Sequence, residues 1–232
     1  MQEKTVTEHP NRPPRKPLPD ADLYQPNFSP WLAKSGDFAE MLQHISAFTL
    51  VSSDRLWILN SLATQAKALA GEFWECGVYK GGSAFLLAKI ASENTTLRLF
   101  DTFEGMPTTD PQRDYHRAGD FADTSLAAVQ NRLTAFSNIS YHQGFIPNTF
   151  DNLEHCNIAF AHVDVDIYQS VLDCCTFIYP RLTAGAIMVF DDYGFPSCPG
   201  ARQAVDQFFA DKIEIPLVLA SGQAIVIKLP PA

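Results

Sequence analysis

The chain has 232 residues, 46% hydrophobic and 19% charged, which suits one α/β domain with an appendage. A net charge of −9, from 17 Lys and Arg against 26 Asp and Glu, leaves no basic stripe for a nucleic-acid backbone. No apolar run approaches the roughly 18 residues of a membrane span, and the polar start lacks the apolar core of a secretory signal. The expectation is a cytoplasmic protein with neither nucleic-acid nor membrane partner.

Residues 1–36 read as a Pro-rich arm: seven of the sixteen prolines fall in the first 30 positions, a composition that cannot pack a core. The domain proper is expected over residues 37–232. Phe38, Met41, Leu42, Ile45 and Phe48 fall at helical spacing, and a second helix is expected from Asp54 to Leu69. Strands and helices then alternate: strand Phe73 to Cys76, helix Ser83 to Ser92, strand Leu97 to Asp101, helix Thr124 to Phe136 capped by Thr124 or Ser125. Next come strand Ile139 to His142, strand Ile158 to Asp164, helix Tyr168 to Tyr179, strand Ala186 to Phe190 and helix Gly200 to Asp211. This alternation predicts a parallel sheet covered on both faces. Leu217 to Ala220 and Ala224 to Leu229 are separated by three residues, which allows only an antiparallel hairpin. The five cysteines (76, 156, 174, 175, 198) include no CxxC pair and read as buried small hydrophobes.

Glu75-Cys76-Gly77-Val78-Tyr79-Lys80-Gly81-Gly82-Ser83 joins a strand to a helix. Glycines there permit a tight turn and close approach of a ligand. A dinucleotide loop wants G-x-G-x-x-G, but Tyr79 takes the place of its second glycine. A P-loop wants lysine where Ser83 stands. S-adenosylmethionine has no phosphate and needs only close approach and polar groups, which this loop offers. Asp101 ends the next strand, where an acidic residue can accept ribose hydroxyls; a turn residue or helix cap is the plain alternative.

His162-Val163-Asp164-Val165-Asp166 places Asp164 and Asp166 on one side for as long as the strand lasts, and Asp191 and Asp192 end the following strand. Four carboxylates at one sheet edge repel by about 4 kcal/mol per close pair at an effective dielectric near 20. They are protonated, spread apart, or shared by a cation. An all-oxygen set favours Mg²⁺, then Mn²⁺ or Ca²⁺. An N-cap at Asp192 and a solvated turn are the plain alternatives, and His162 reads as a hydrogen-bonded strand histidine.

These motifs together resemble the macrocin O-methyltransferase (TylF-type) family over residues 49 to 212. They are Thr49-Leu50 ahead of Arg55, ECGVYKGGS, DTFEG from Asp101, TSLAAV from Thr124, HVDVDIY from His162, and FDDYG from Phe190 followed by GARQAVDQF. Gln169 and Thr183-Ala184-Gly185-Ala186 depart from the family pattern. The resemblance implies a Rossmann-like class I methyltransferase fold, a mostly parallel seven-stranded sheet with a C-terminal antiparallel hairpin. It implies S-adenosylmethionine as donor, Mg²⁺, and a small hydroxylated substrate, a sugar of a natural product being the type acceptor. Glu75, Gly77, Val78 and Tyr79 would line the methionine and ribose end of the donor. Asp101 would hold the ribose, with Thr102, Phe103 and Gly105 around it. Ser125, Gly144 and Phe145 would flank the adenine, and Thr49 and Leu50 would close over the donor. Asp164, Asp191 and Asp192 would bind Mg²⁺, and Asp166 would be the general base. A homo-oligomer is expected. The rival readings are a metal-dependent O-methyltransferase of catechols or other small aromatic acceptors, a nicotinamide oxidoreductase, and a non-catalytic nucleoside-binding protein.

Overall fold

The computed structural model describes residues 29–91 and 93–230. The arm up to residue 28 lies outside them. Helices α1 (Asp37–Ile45) and α2 (Ser53–Ala66) precede β1 (Glu72–Cys76), α3 (Gly82–Ile90), β2 (Leu97–Asp101), α4 (Leu126–Arg132) and β3 (Ile139–Gln143). Then follow β4 (Ile158–Val163), α5 (Tyr168–Ile178), β5 (Leu182–Phe190), α6 (Pro199–Phe209), β6 (Leu217–Val218) and β7 (Ala224–Ile227). The seven strands lie in the order β3-β2-β1-β4-β5-β7-β6. The first five are mutually parallel, and β7 runs antiparallel to both β5 and β6, so the closing hairpin is as expected. Among the described residues, no helix is long and apolar enough to cross a membrane.

The strand alternation divides the core in two. Trp74, Cys76, Ala161, Val163, Met188 and Phe190 face the side covered by α5 and α6. Phe73, Phe160, Ile187 and Val189 face Leu56 and Leu59 of α2 and Leu86 and Leu87 of α3. Each Val, Leu, Ile, Phe and Met among them contributes about 1.5–3 kcal/mol on burial. All six β4 residues are buried, which accounts for its continuous apolar run at the centre of a covered sheet.

Most boundaries fall within two residues of those read from sequence; α2 ends three residues early, at Ala66, and two elements differ more. β5 begins at Leu182, four residues early, because its first half pairs irregularly with β4: Ile158 meets Leu182 but Phe160 meets Ile187. The Thr-Ala-Gly start, with Gly185 at φ +84°, reads as loop although it is a bulged strand. α4 is shorter than the predicted Thr124–Phe136 at both ends. Ser125 caps it, its Oγ accepting from the Ala128 amide at 3.3 Å.

Candidate active site

A cleft of about 290 Å³ opens at the carboxyl ends of β1, β2, β4 and β5, the edge at which open α/β sheets bind ligands. Its first wall is the glycine loop. A Cβ on Gly77 would lie 1.7 Å from the Asp164 carbonyl oxygen, so only glycine lets β1 and β4 leave the sheet side by side. A Cβ on Gly82 would lie 2.5 Å from Thr49 Cβ, so that glycine lets residues 48–51 cross the start of α3. Asp101 fastens the loop: its Oδ2 accepts from the Val78 and Tyr79 amides at 2.7 and 2.9 Å, and its Oδ1 accepts from the Phe103 amide at 2.6 Å. Thr124 Oγ1 donates to the Tyr79 carbonyl at 2.5 Å.

Beneath the cleft lies a buried polar row that follows from strand register. Glu75 and His162 are direct neighbours on β1 and β4, both on the α2 side of the sheet, and Asp191 continues that side one residue past β5. His162 Nδ1 lies 3.0 Å from Glu75 Oε1 and its Nε2 3.5 Å from Asp191 Oδ1. Gln223 Nε2 donates to Asp191 Oδ1 at 2.7 Å, and Arg55 Nη1 from α2 donates to Asp191 Oδ2. Arg55 also donates to the Leu50 carbonyl at 3.1 Å and lies over the Phe195 ring, 4.7 Å from its centroid. Burial opposes charge on His162, but bonds to Asp191 and Glu75 outweigh it and raise its pKa well above the ordinary value. Burial likewise opposes ionisation of Asp191, yet His162, Arg55 and Gln223 together hold its carboxyl below the usual range. Glu75 Oε2 is buried without a hydrogen-bond partner.

The other three aspartates face the cleft. β4 ends at Val163, so strand alternation does not carry Asp166 to the same side as Asp164. A left-handed backbone at Asp166, φ +58°, turns it there instead, a conformation Asp tolerates better than most residues. The Asp166 amide donates to Asp192 Oδ2 at 3.0 Å. Burial and the charge of Asp191 push Asp164 well above the carboxylate range; burial and the charges of Asp166, Asp164 and Asp191 do the same to Asp192. Ionising all of these carboxylates would therefore leave negative charge that Arg55 and His162 do not compensate. The donor set is all oxygen, and its unrelieved repulsion fits a hard divalent cation. Asp164 and Asp192 offer open oxygens for one. Asp191 also lies close to Asp164, but both its oxygens already accept hydrogen bonds.

A third wall was not legible as any element. Residues 102–123 fold over the cleft, anchored by Asp114, whose Oδ1 accepts from the Tyr168 amide at the start of α5 at 2.9 Å. Arg113 lies over the Tyr168 ring at 3.9 Å. This loop brings His116 within 3.6 Å of Asp166 Oδ1, and Cys198, just before α6, lies 3.5 Å from the same oxygen.

Thr49, Leu50, Gly77, Val78, Tyr79, Asp101, Thr102, Gly105, Gly144 and Phe145 therefore line one cleft with Asp164, Asp166 and Asp192. Four expected site residues stand elsewhere. Glu75 and Asp191 lie in the buried row, Phe103 is packed in the core, and Ser125 is the cap of α4, its neighbour Thr124 facing the cleft instead. All five cysteines are buried, as expected, but Cys198 also borders the cleft. Arg55, His116 and Cys198 received no role from sequence.

The macrocin O-methyltransferase (TylF) family model matches residues 38–226. The chain belongs to that family. It is an S-adenosylmethionine-dependent O-methyltransferase. It is 28% identical over 181 residues to mycinamicin III 3''-O-methyltransferase of Micromonospora griseorubida, covering 70% of each chain. It is also 28% identical over 158 residues to 8-demethyl-8-(2,3-dimethoxy-alpha-L-rhamnosyl)-tetracenomycin-C 4'-O-methyltransferase of Streptomyces olivaceus, covering 62% of this chain and 59% of that one. The solved structure of the O-methyltransferase NovP superposes with a TM-score of 0.70 at 21% identity, over 79% of this chain and 83% of that one. That likeness fits the Rossmann-like class I fold expected from the motifs.

Proposed function

We propose that this O-methyltransferase is Mg²⁺-dependent and methylates a hydroxyl that has a second hydroxyl beside it, on a sugar of a natural product. The observation that carries the reading is the convergence of Asp164, Asp166 and Asp192 on the cleft that the glycine loop walls. The names of the two relatives, one of which specifies a rhamnosyl acceptor, support the substrate class.

Residues 77–79, Asp101 and Thr102 hold the methionine and ribose parts of S-adenosylmethionine, while Gly144 and Phe145 flank its adenine and Thr49 and Leu50 close over it. Asp164 and Asp192 would hold Mg²⁺, with Asp191 supporting Asp164 from the buried row. The bound ion supplies a Lewis acid and a template for the two hydroxyls of the acceptor. Asp166 takes the acceptor's hydroxyl proton at a carboxylate oxygen, a role that needs hydrogen-bond reach of that proton. The loop over residues 102–123 screens the cleft from water, and the buried row below keeps Asp191 ionised.

The test is methyl transfer by the full chain from labelled S-adenosylmethionine to a panel of diol-bearing sugar glycosides and catechols, with and without MgCl₂. Transfer to sugars that requires MgCl₂ is the expected result. Transfer confined to catechols would overturn the acceptor class, and transfer that persists in excess chelator would overturn the metal.

A further inference from the structure

His116, Cys198 and Asp166 come together from three separate parts of the chain: the cleft-covering loop, the residue before α6, and the turn after β4. Their nearest ligand atoms form an almost equilateral triangle. Cys198 Sγ to Asp166 Oδ1 is 3.5 Å, His116 Nε2 to Asp166 Oδ1 is 3.6 Å, and Cys198 Sγ to His116 Nε2 is 3.7 Å. Zinc bonds of about 2.3 Å to sulfur and about 2.0–2.2 Å to nitrogen and oxygen, set at tetrahedral angles, separate ligand atoms by about 3.3–3.6 Å. The triangle thus has nearly the dimensions of one face of a zinc tetrahedron, and all three residues border the cleft, from which a fourth ligand can come.

The support behind the triangle points the same way. His116 Nδ1 lies 3.2 Å from Asp120 Oδ2, and Asp120 is itself held by the Arg117 amide at 2.9 Å. A carboxylate on Nδ1 fixes the imidazole tautomer and leaves the Nε2 lone pair for a metal. A thiol, an imidazole and one carboxylate make a soft to borderline set, unlike the all-oxygen group of Asp164 and Asp192, and such a set selects Zn²⁺ over Mg²⁺.

We propose that His116 Nε2, Cys198 Sγ and Asp166 Oδ1 form a zinc-type site, separate from the Mg²⁺ site, whose filling withdraws Asp166 from proton transfer and so inhibits the enzyme. Binding forms a Zn–S bond and releases the Cys198 thiol proton to solvent. The inhibitory half rests on the base role proposed for Asp166; the binding half does not.

The test adds CoCl₂, then ZnCl₂, to the full chain in saturating MgCl₂ and follows the absorption spectrum. One equivalent of Co²⁺ is expected to give a thiolate charge-transfer band and the intense visible bands of a four-coordinate ion, both removed by ZnCl₂. Cys198→Ser loses the charge-transfer band, and Asp120→Asn weakens binding about 10- to 100-fold. His116→Gln, on the surface loop, provides a second ligand deletion should Cys198→Ser fold poorly, and it is expected to lose the four-coordinate spectrum. A weak six-coordinate spectrum without a thiolate band would overturn the site, as would a band that survives in Cys198→Ser. ZnCl₂ is expected to inhibit methyl transfer by the unmodified protein in a way that excess MgCl₂ does not relieve and that Cys198→Ser abolishes. Bound zinc without inhibition would overturn the inhibitory half alone, and an enzyme without Mg²⁺-dependent transfer would leave the spectroscopic result standing.

Discussion

The two neighbouring aspartates after β5 have opposite environments. Asp191 is fully buried and accepts from Arg55 and Gln223, with His162 at its other side. Asp192, the next residue, faces the cleft with Asp164 and Asp166 and accepts one backbone amide. The first belongs to a row of charges neutralised within the protein, the second to a cluster that has no cation among the described residues to balance full ionisation. One residue of strand alternation separates them. The buried-row and cleft-facing carboxylates therefore differ here in compensation rather than in residue type.

The largest expected effect is on the open set. Asp166→Asn is expected to lower turnover about 10²- to 10⁴-fold while leaving S-adenosylmethionine affinity unchanged, as read by steady-state kinetics and calorimetry. Unchanged turnover would take Asp166 out of proton transfer. On the paired set, Arg55→Met strands a buried carboxylate. A loss of about 3 kcal/mol in urea unfolding is expected, the low end of such deletions because His162 and Gln223 remain. A loss near zero would show that Asp191 does not depend on its guanidinium.

Asp192→Asn is expected to act in the opposite direction. Its carboxyl is raised in the fold by burial and by the charges of Asp166, Asp164 and Asp191. In the metal-free protein that raised group favours the fold below the ordinary carboxylate pKa and loses the advantage as pH rises through its folded value. At neutral pH the Asn variant without metal is therefore expected to be more stable, by about 1–2 kcal/mol, in the same urea assay. The smallest effect concerns a paired carboxylate far from the cleft. Burial works against charge on Glu214, yet Tyr179 Oη at 2.5 Å and Lys228 Nζ at 3.0 Å hold it down to about 2. Its stabilisation is complete above the unfolded value near 4.5 and is lost as pH falls from there toward about 2. Glu214→Gln is expected to flatten that acid limb and to cost about 1 kcal/mol at neutral pH, solvent screening included.

The parallel core of the fold was legible because β1, β2 and β4 are short apolar runs ending in Gly, Asp or a turn, and the short connection between the last strands, five residues in the structure, permits only a hairpin. Most cleft residues were legible for the same reason, since they stand at strand ends. Asp191 was assigned with Asp192; it does stand beside Asp164, but in the buried row, because consecutive residues leaving an extended strand project to opposite sides. His116 carried no such signal. Its loop has no periodicity, and the distant contacts of Asp114 and Arg113 with α5 place it beside Asp166. Cys198 was indistinguishable in sequence from Cys174 and Cys175, which are wholly buried in α5.

The contrast between the two aspartates is tested most directly by calorimetric titration of MgCl₂ into the metal-free full chain and its Asp192→Asn and Arg55→Met variants. One ion is expected to bind the unmodified protein, to be lost with Asp192, and to be retained without Arg55. No binding to the unmodified protein, or equal binding to the Asp192→Asn variant, would contradict the assignment of the cleft-facing carboxylates to a metal.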